Sequence, residues 1–355
     1  MNPNDILGLG KVLPIDKLLD IMSKAVGKVS KSYFDRKDVN TRAYEIRKLA
    51  EARADEMKIM ATAIKENFQL TGGIDYKEGE IVISSPKELP QEVKPTIFIA
   101  PPLEERTQER LDFQEAKKQL NIENITSYAA DELRDEKEVT NEPLDEVWTT
   151  RFFRVAEDIS NDEMQALWGR ILAGEIKQPK TFSLRTLELL KNLSKQEAEC
   201  FLKFGRLAIT SSGASFILNF KGEKLLEEKY LLNFGERLLL EELGLVTAND
   251  LQFELSVSEE ENTQIIFSIG TICVVAQRPK GTPEQQLQVL AFTKIGQELL
   301  QLVETTPELE YIQLLASKIR RPDGIIKYAT IISVKDGYIS HSRLVDVPLT
   351  EQEKS

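Results

Sequence analysis

The stretch "LWGRILAGEIKQPKTFSLRTLELL", residues 167–190, decides how the chain is built. Large apolar residues recur at helical spacing before Gly174 and again after Pro179, so the stretch predicts two helices joined by a corner. Gly174 suits the C-terminal cap of the first helix, and Pro179 cannot continue it. A catalytic turn and a plain corner between helices would share this pattern, so the rest of the sequence has to distinguish them.

The helices around this corner carry residues predicted to have structural roles. Trp148 and Phe152 are four residues apart in a preceding helix, and Trp168 lies in the first helix of the corner. Their helical spacing predicts that all three belong to the core. Glu175 and Arg185 stand on opposite sides of the corner. We expect them to form an ion pair that fixes the second part of the chain against the first.

Length, composition and charge limit the class of protein. The 355 residues, 41% hydrophobic and 29% charged, are typical of a globular protein with two or three cores. The net charge of −12 disfavours a protein that coats nucleic acid, because phosphate binding needs a basic face, but it allows a local basic patch. The sequence has neither a membrane-spanning apolar run nor a secretory signal at its start. It predicts a cytoplasmic protein with Cys200 and Cys273 as reduced core thiols.

Residue types that carry catalysis are scarce. His341 is the single histidine, so neither a histidine-based triad nor a Cys/His zinc site can be proposed. "LGLGK" at residues 7–11 lacks the spacing and the preceding strand of a phosphate-binding loop. Glu175 and Lys177 resemble a nuclease pair, but they lie at a helix end and lack the convergent carboxylates of two-metal chemistry. We predict no enzyme activity, no catalytic residue, no cofactor and no metal, although an active site assembled from dispersed residues would be invisible here.

Changes in composition divide the chain into five segments. Residues 1–70 are predicted to form amphipathic helices, and residues 71–102, with Gly-Gly and five prolines, an extended or β-hairpin insertion. Residues 103–180 form a helical core. Residues 181–305 alternate helices with strands as a winged-helix-like domain does, and residues 306–355 end the chain with a helix and a hairpin. The predicted class is α+β, mainly α.

Short local signals predict where elements begin and turn. Ser160 with Glu163, and Ser194 with Glu197, have the spacing of a capping box and predict helix starts. The turn of the final hairpin is predicted at residues 336–337, an Asp-Gly pair that tolerates positive φ.

Residues 15–34 predict an amphipathic helix with a lysine face opposite its apolar face. The lysines are Lys17, Lys24, Lys28 and Lys31. Such a helix can lie on an anionic membrane surface or bind a partner. A surface helix that packs on its neighbour and leaves its lysines in water has the same pattern, and both interpretations stay open.

The helix predicted within residues 228–246 is the natural candidate for a recognition helix that enters the major groove of DNA. A helix in the major groove needs lysine, arginine and polar side chains. This segment has four glutamates but only Lys229 and Arg237, and acidic residues outnumber basic ones over residues 183–303. The balance favours a protein-interaction module. The strongest local basic patch is weak, and it consists of Lys318, Arg320, Arg321 and Lys327.

Several phrases in a fixed order resemble an uncharacterised bacterial family, a domain of unknown function. The phrases, between residues 121 and 201, are Asn-Ile-Glu, Trp-x-x-Arg-Phe-Phe, Ile-Ser, Leu-Trp-Gly-Arg-Ile-Leu-Ala-Gly-Glu, a proline and Ser-x-Arg-Thr-Leu. The phrase "FTKIGQELL" at residues 292–300 looks like the family's end, whereas residues 71–102 depart from its pattern. The resemblance implies a bacterial cytoplasmic protein and an antiviral-defence or toxin-like context. It implies no activity and no catalytic residue.

Together these observations predict a non-enzymatic interaction or regulatory protein. We expect it to bind a protein partner or to form a homo-oligomer through its amphipathic helices. Two alternatives come from other classes. One is a winged-helix regulator that binds DNA, and the other is an effector directed to a membrane surface by residues 15–34.

Overall fold

The computed structural model describes residues 10–25, 73–77, 80–84, 102–305, 307–335 and 338–348. The chain divides into two units, Met1–Lys28 with Lys118–Ser355, and Val29–Lys117. The predicted residues Lys28 and Lys31 and the predicted turn at 336–337 lie outside the described residues.

The unit Val29–Lys117 contains a hairpin and the start of a long helix. Strands β2 (Gly73–Lys77) and β3 (Glu80–Ser84) pair antiparallel, with Ile74 opposite Ile83. The hairpin lies inside the segment predicted to hold one. Helix α2 (Leu103–Glu132) begins in this unit and continues into the other.

The first part of the larger unit is helical. Its elements are β1 (Lys11–Val12), α1 (Pro14–Ala25), the second half of α2, β4 (Val139–Thr140), α3 (Glu146–Ala156), α4 (Asp162–Lys177) and α5 (Leu184–Asn192). Strands β1 and β4 pair antiparallel. The apolar positions at helical spacing are buried together, including Leu18, Met22, Ile125, Phe152 and Trp168. The helical core therefore follows from the periodicity that the sequence displays.

Helices α2 and α4 approach closely because Gly169 has no side chain. A Cβ atom at Gly169 would lie 2.4 Å from Cβ of Tyr128 and 3.0 Å from the backbone nitrogen of Ala129. Real Cβ atoms do not approach other atoms at the first of these distances. Close packing of the two helices therefore requires glycine at the position of Gly169, in the phrase "LWGRIL".

The second part of the unit is built on a nine-stranded antiparallel sheet. Its helices are α6 (Lys195–Gly205), a π-helical turn (Leu225–Lys229), α7 (Phe234–Glu242), α8 (Lys294–Leu300) and α9 (Leu309–Ile319). Its strands are β5 (Ile209–Ser211), β6 (Ala214–Leu218), β7 (Leu251–Leu255), β8 (Thr263–Ile269), β9 (Ile272–Arg278), β10 (Gln285–Ala291), β11 (Ile325–Lys335), β12 (Tyr338–His341) and β13 (Val345–Asp346). The strand order is β12-β11-β9-β8-β5-β6-β10-β7, with β13 also paired to β11.

The sheet contains strands from both sides of residue 305, where the sequence predicts a boundary between two segments. Strand β11 pairs with β9, so that Ala329 lies opposite Cys273. The final hairpin of β11 and β12 thus extends the sheet of the preceding segment. The class is mixed α/β with a large antiparallel sheet, and the sheet is larger than the mainly α prediction anticipates.

Two predicted helix ends lie elsewhere. Helix α4 starts with Asn161 as its N-cap, whose side chain accepts from the backbone N–H of Met164, so the box predicted at Ser160 is wrong. The same helix continues through Gly174 to Lys177, so Gly174 is not the cap. Its role is steric, because a Cβ there would lie 2.9 Å from the ring of Phe182.

Other predicted caps are confirmed. Ser194 and Glu197 form the full capping box at the start of α6. Pro179 follows the end of α4, as its lack of an N–H requires.

Candidate functional site

An aromatic cluster fills the space between α3 and α4. The rings of Trp148 and Phe152 are stacked with centroids 5.1 Å apart, and Phe152 lies 5.3 Å from Trp168. All three side chains are buried. The structure therefore places these three predicted residues together, inside the core.

Glu175 closes the corner after α4 through backbone hydrogen bonds. Its buried carboxylate accepts from the N–H of Lys180 at 2.6 Å and from the N–H of Phe182 at 3.0 Å. Burial raises the pKa of this carboxyl, and the backbone donors oppose that shift. The predicted ion pair with Arg185 is wrong, because Glu175 faces the corner while Arg185 lies on the exposed side of α5.

A second buried carboxylate joins α8 to the start of α5. One oxygen of Glu298 accepts from the N–H of Ser183 at 2.7 Å and from the hydroxyl of Thr186 at 2.5 Å. Its charge also raises the pKa of Glu175, after the larger effect of burial. Because each carboxylate is bonded to donors of the protein itself, the corner is a structural joint.

Lys17 is buried in the same region, although the sequence places it on a solvated lysine face. Its side chain is 7% exposed, and its ammonium donates to the carbonyls of Thr140 at 2.8 Å and Ile176 at 3.1 Å. Burial lowers the pKa of Lys17. Lys24 is exposed and pairs with Asp20 at 2.6 Å. The hydrogen bonds of Lys17 therefore connect helix α1 to β4 and to the end of α4.

Residues of the predicted basic patch lie near the end of α9 and in β11. Lys318 forms an ion pair with Glu223, and Lys327 lies 3.8 Å from Asp346. Arg321 donates to the carbonyl of Glu284, and Arg320 is half-buried. Acidic partners thus neutralise both lysines of the patch.

Helix α7 presents an apolar surface that sequence reasoning did not single out. Its N-cap Asn233 accepts from the N–H of Glu236 and fixes where the helix starts. Leu231, Phe234 and Leu238 are 64%, 66% and 46% exposed, and Glu242 is also exposed. We call Leu231, Phe234, Leu238 and Glu242 the α7 stripe. The i, i+4 and i+8 spacing from Phe234 to Glu242 is the signal in the sequence that predicts a shared face.

The basic side chains beside this stripe are neutralised. Arg237 lies 2.6 Å from both Glu241 and Asp250 and is 13% exposed in its side chain. Lys203 of α6 lies 2.7 Å from Glu236. Because Arg237 and Lys203 form salt bridges with these acidic side chains, their charges are not directed to a phosphate backbone.

A groove of about 490 Å³ lies between α3, α5 and the ends of α7 and α8. We call it the α5 groove. Its apolar lining consists of the half-buried residues Leu184, Leu189, Leu193, Leu243 and Ile295. Arg151 and Arg185 stand in the same lining, and Arg151 lies 3.4 Å from Glu188. Among the described residues Arg185 has no ion-pair partner.

The two cysteines and the single histidine differ in their surroundings. Burial, with the nearby Glu236, raises the pKa of Cys200 to about 11, and burial raises the pKa of Cys273 as well. His341 is exposed in β12. The described part of the chain has no group of three or more His, Cys, Asp or Glu side chains able to hold a metal ion.

A comparison with family models gives a match over more than half of the chain. The model for a protein of unknown function, DUF2806, matches residues 105–316. This range holds the aromatic cluster, the corner, the α7 stripe, the α5 groove and the phrases on which the resemblance rests. Comparisons with curated proteins and with solved structures give no match.

Proposed function

Because the chain belongs to the DUF2806 family of proteins of unknown function, we propose a function from its own surfaces. It is a non-enzymatic interaction protein that self-associates through the α7 stripe. One observation carries the proposal. Helix α7 exposes Phe234 and Leu238 on one face, Leu231 just before the helix is exposed as well, and the arginine of α7 is held by two carboxylates.

Exposed apolar residues are ordinary when they are scattered, but neighbouring large ones mark interaction sites. Phe234 and Leu238 are one helical turn apart, and Leu231 lies three residues before the start of the helix. Aromatic residues are enriched at protein interfaces, because burying them removes a large apolar area from water. The stripe thus has the composition of an interface centre.

The proposal treats the region around α7 as a winged helix used for protein contact. Helices α6 and α7 precede β7 and β10, and the adjacent strands lie in the order β6-β10-β7. In a winged helix of this arrangement, α7 would be the recognition helix. An apolar and acidic surface there suits a protein partner better than a phosphate backbone.

DNA binding is the second candidate, and the charges of the region disfavour it. A helix in the major groove must offer cations to phosphates and bases. Arg237 is already paired with Glu241 and Asp250, and Lys229 is paired with Glu308 and Glu310. We expect no shift of duplex DNA in a low-salt mobility assay, and a salt-sensitive shift would favour the regulator instead.

Membrane attachment through α1 is also less well supported. Leu18, Ile21 and Met22 of its apolar face are buried within the protein, which removes them from contact with lipid. None of the helices in the described residues is both long and apolar enough to cross a bilayer. We expect no co-sedimentation with anionic vesicles.

The proposal is tested by the variant Leu238→Ser. Removing this leucine from the stripe is expected to weaken self-association, because the apolar area buried on contact falls. Light scattering coupled to size-exclusion chromatography measures the mass over a concentration series.

The matched control for Leu238→Ser is Leu111→Ser, which changes a leucine of similar exposure, 41% against 46%, in the interior of helix α2. Both changes put serine into a helix, so general effects on helix stability are shared. Equal loss of association in both variants, or loss in neither, would contradict a role for the stripe.

A further inference from the structure

We infer that the α5 groove of one copy of the chain receives the α7 stripe of a second copy. The inference rests on the proposed self-association and adds the counter-surface to it. The groove is an apolar depression with two arginines in its lining, and the stripe is an apolar ridge that ends in a glutamate.

Charge complementarity argues for this pairing. The chain as a whole has a net charge of −12, so a surface with two arginines and one glutamate stands out. Arg185 is exposed and has no ion-pair partner among the described residues, and Glu242 of the stripe is exposed. An arginine at the edge of an apolar depression fits a carboxylate that follows apolar side chains.

The stripe of a given copy cannot fill its own groove. Leu243 lines the groove and follows α7 directly, five residues after Leu238. At about 100° per residue, these two side chains point about 140° apart around the helix axis. The two surfaces therefore face different directions, and the occupant of the groove comes from another molecule.

A contact between two different surfaces is heterologous. Such contacts repeat from copy to copy and give rings when the rotation closes and open chains when it does not. An isologous alternative, in which two stripes pack on each other, would stop at a dimer. The two arrangements make different predictions for variants that lack one surface.

The test uses two variants of the full chain. In Arg185→Glu the groove carries an added negative charge opposite Glu242 of the second copy. Because like charges then face each other, we expect the dissociation constant of self-association to rise about tenfold or more. In the double variant Phe234→Ser, Leu238→Ser the stripe is lost and the groove is intact. The control is Arg343→Glu, which reverses an exposed arginine away from the groove.

Sedimentation velocity on the separate and mixed variants decides between the arrangements. At a concentration near the dissociation constant of the unmodified chain, we expect each blocked variant to be mainly monomeric alone and their mixture to form a 1:1 dimer, because one intact groove and one intact stripe remain. Self-association by Arg185→Glu equal to that of Arg343→Glu, or a mixture that stays monomeric, would overturn the inference.

This result is separable from failure of the proposed function. If the unmodified chain is monomeric at every concentration, self-association itself is wrong. A different result would be that the unmodified chain and Arg185→Glu associate equally while the stripe variant does not associate. In that case the stripe binds another surface, and only the inference about the α5 groove fails.

Discussion

At the residue scale, Glu175 is the side chain whose role differs most from expectation. Its position across the corner from Arg185 suggests an ion pair, but the carboxylate bonds to the N–H groups of Lys180 and Phe182. Sequence spacing can place two charges on one corner, whereas it does not tell where backbone N–H groups point. Lys17 illustrates the same limit, because burial of a lysine depends on which carbonyls the tertiary fold brings to it.

The variant Glu175→Gln tests the buried carboxylate. Its pKa in the folded protein is raised above the ordinary value of 4.5, so just above that pH the folded state holds more protons than the unfolded state. Stability from this group is therefore present at low pH and falls as pH rises through the raised pKa. We expect the glutamine variant to have a flatter profile of unfolding free energy above pH 4.5, measured by urea denaturation at several pH values.

The control for this pH profile is Glu199→Gln, which changes an exposed carboxyl of α6. It removes the same charge without changing the corner. Profiles of Glu175→Gln and the unmodified protein that run parallel from acid to neutral pH would contradict the role assigned to burial.

Gly169 gives a second prediction at this scale. In Gly169→Ala the added Cβ would meet Tyr128 at 2.4 Å, so α2 and α4 must move apart. We expect a loss of about 1–3 kcal/mol in the free energy of unfolding, as for other overpacked sites. Gly235→Ala, at an exposed position in α7, should be neutral or raise stability by up to about 1 kcal/mol. Chemical denaturation compares the two, and a tolerated Gly169→Ala would refute the close crossing.

At the element scale, most helices and strands of the second half follow from local signals. The capping box predicted at Ser194 is present, Thr293 caps α8, and β5 to β10 lie in the segment predicted to alternate helices with strands. The start of α4 is missed because two neighbouring residues compete for the same cap. Asn161 takes it, while the hydroxyl of Ser160 lies 3.3 Å from the side-chain amide of Asn121. Local patterns define elements well and their exact ends less well.

A hydroxyl of α5 contributes one of the hydrogen bonds that connect α5 to α8. Thr186 is buried and donates to Glu298 at 2.5 Å. In Thr186→Val the shape is kept and the donor is lost, so the buried carboxylate loses a hydrogen bond at a cost of about 1–3 kcal/mol. Thr186→Ser keeps the donor and is expected to lose less stability in thermal or urea unfolding. Equal losses in both variants would assign the effect to packing.

At the scale of the whole molecule, the sequence predicts strands but not their partners. Strand β11 pairs with β9 across about fifty residues, and that pairing joins the predicted last segment to the preceding sheet. Alternating apolar residues identify a strand without saying which neighbour it meets. The α5 groove is also absent from the sequence pattern, because only tertiary packing brings its helices together, whereas the spacing of the α7 stripe is local.

The proposed self-association through the α7 stripe is tested by sedimentation velocity over a concentration series of the unmodified chain and of the double variant Phe234→Ser, Leu238→Ser. We predict that the sedimentation coefficient of the unmodified chain rises with concentration, whereas that of the variant stays at the monomer value. A single monomeric species for both, or equal association by both, would contradict the claim.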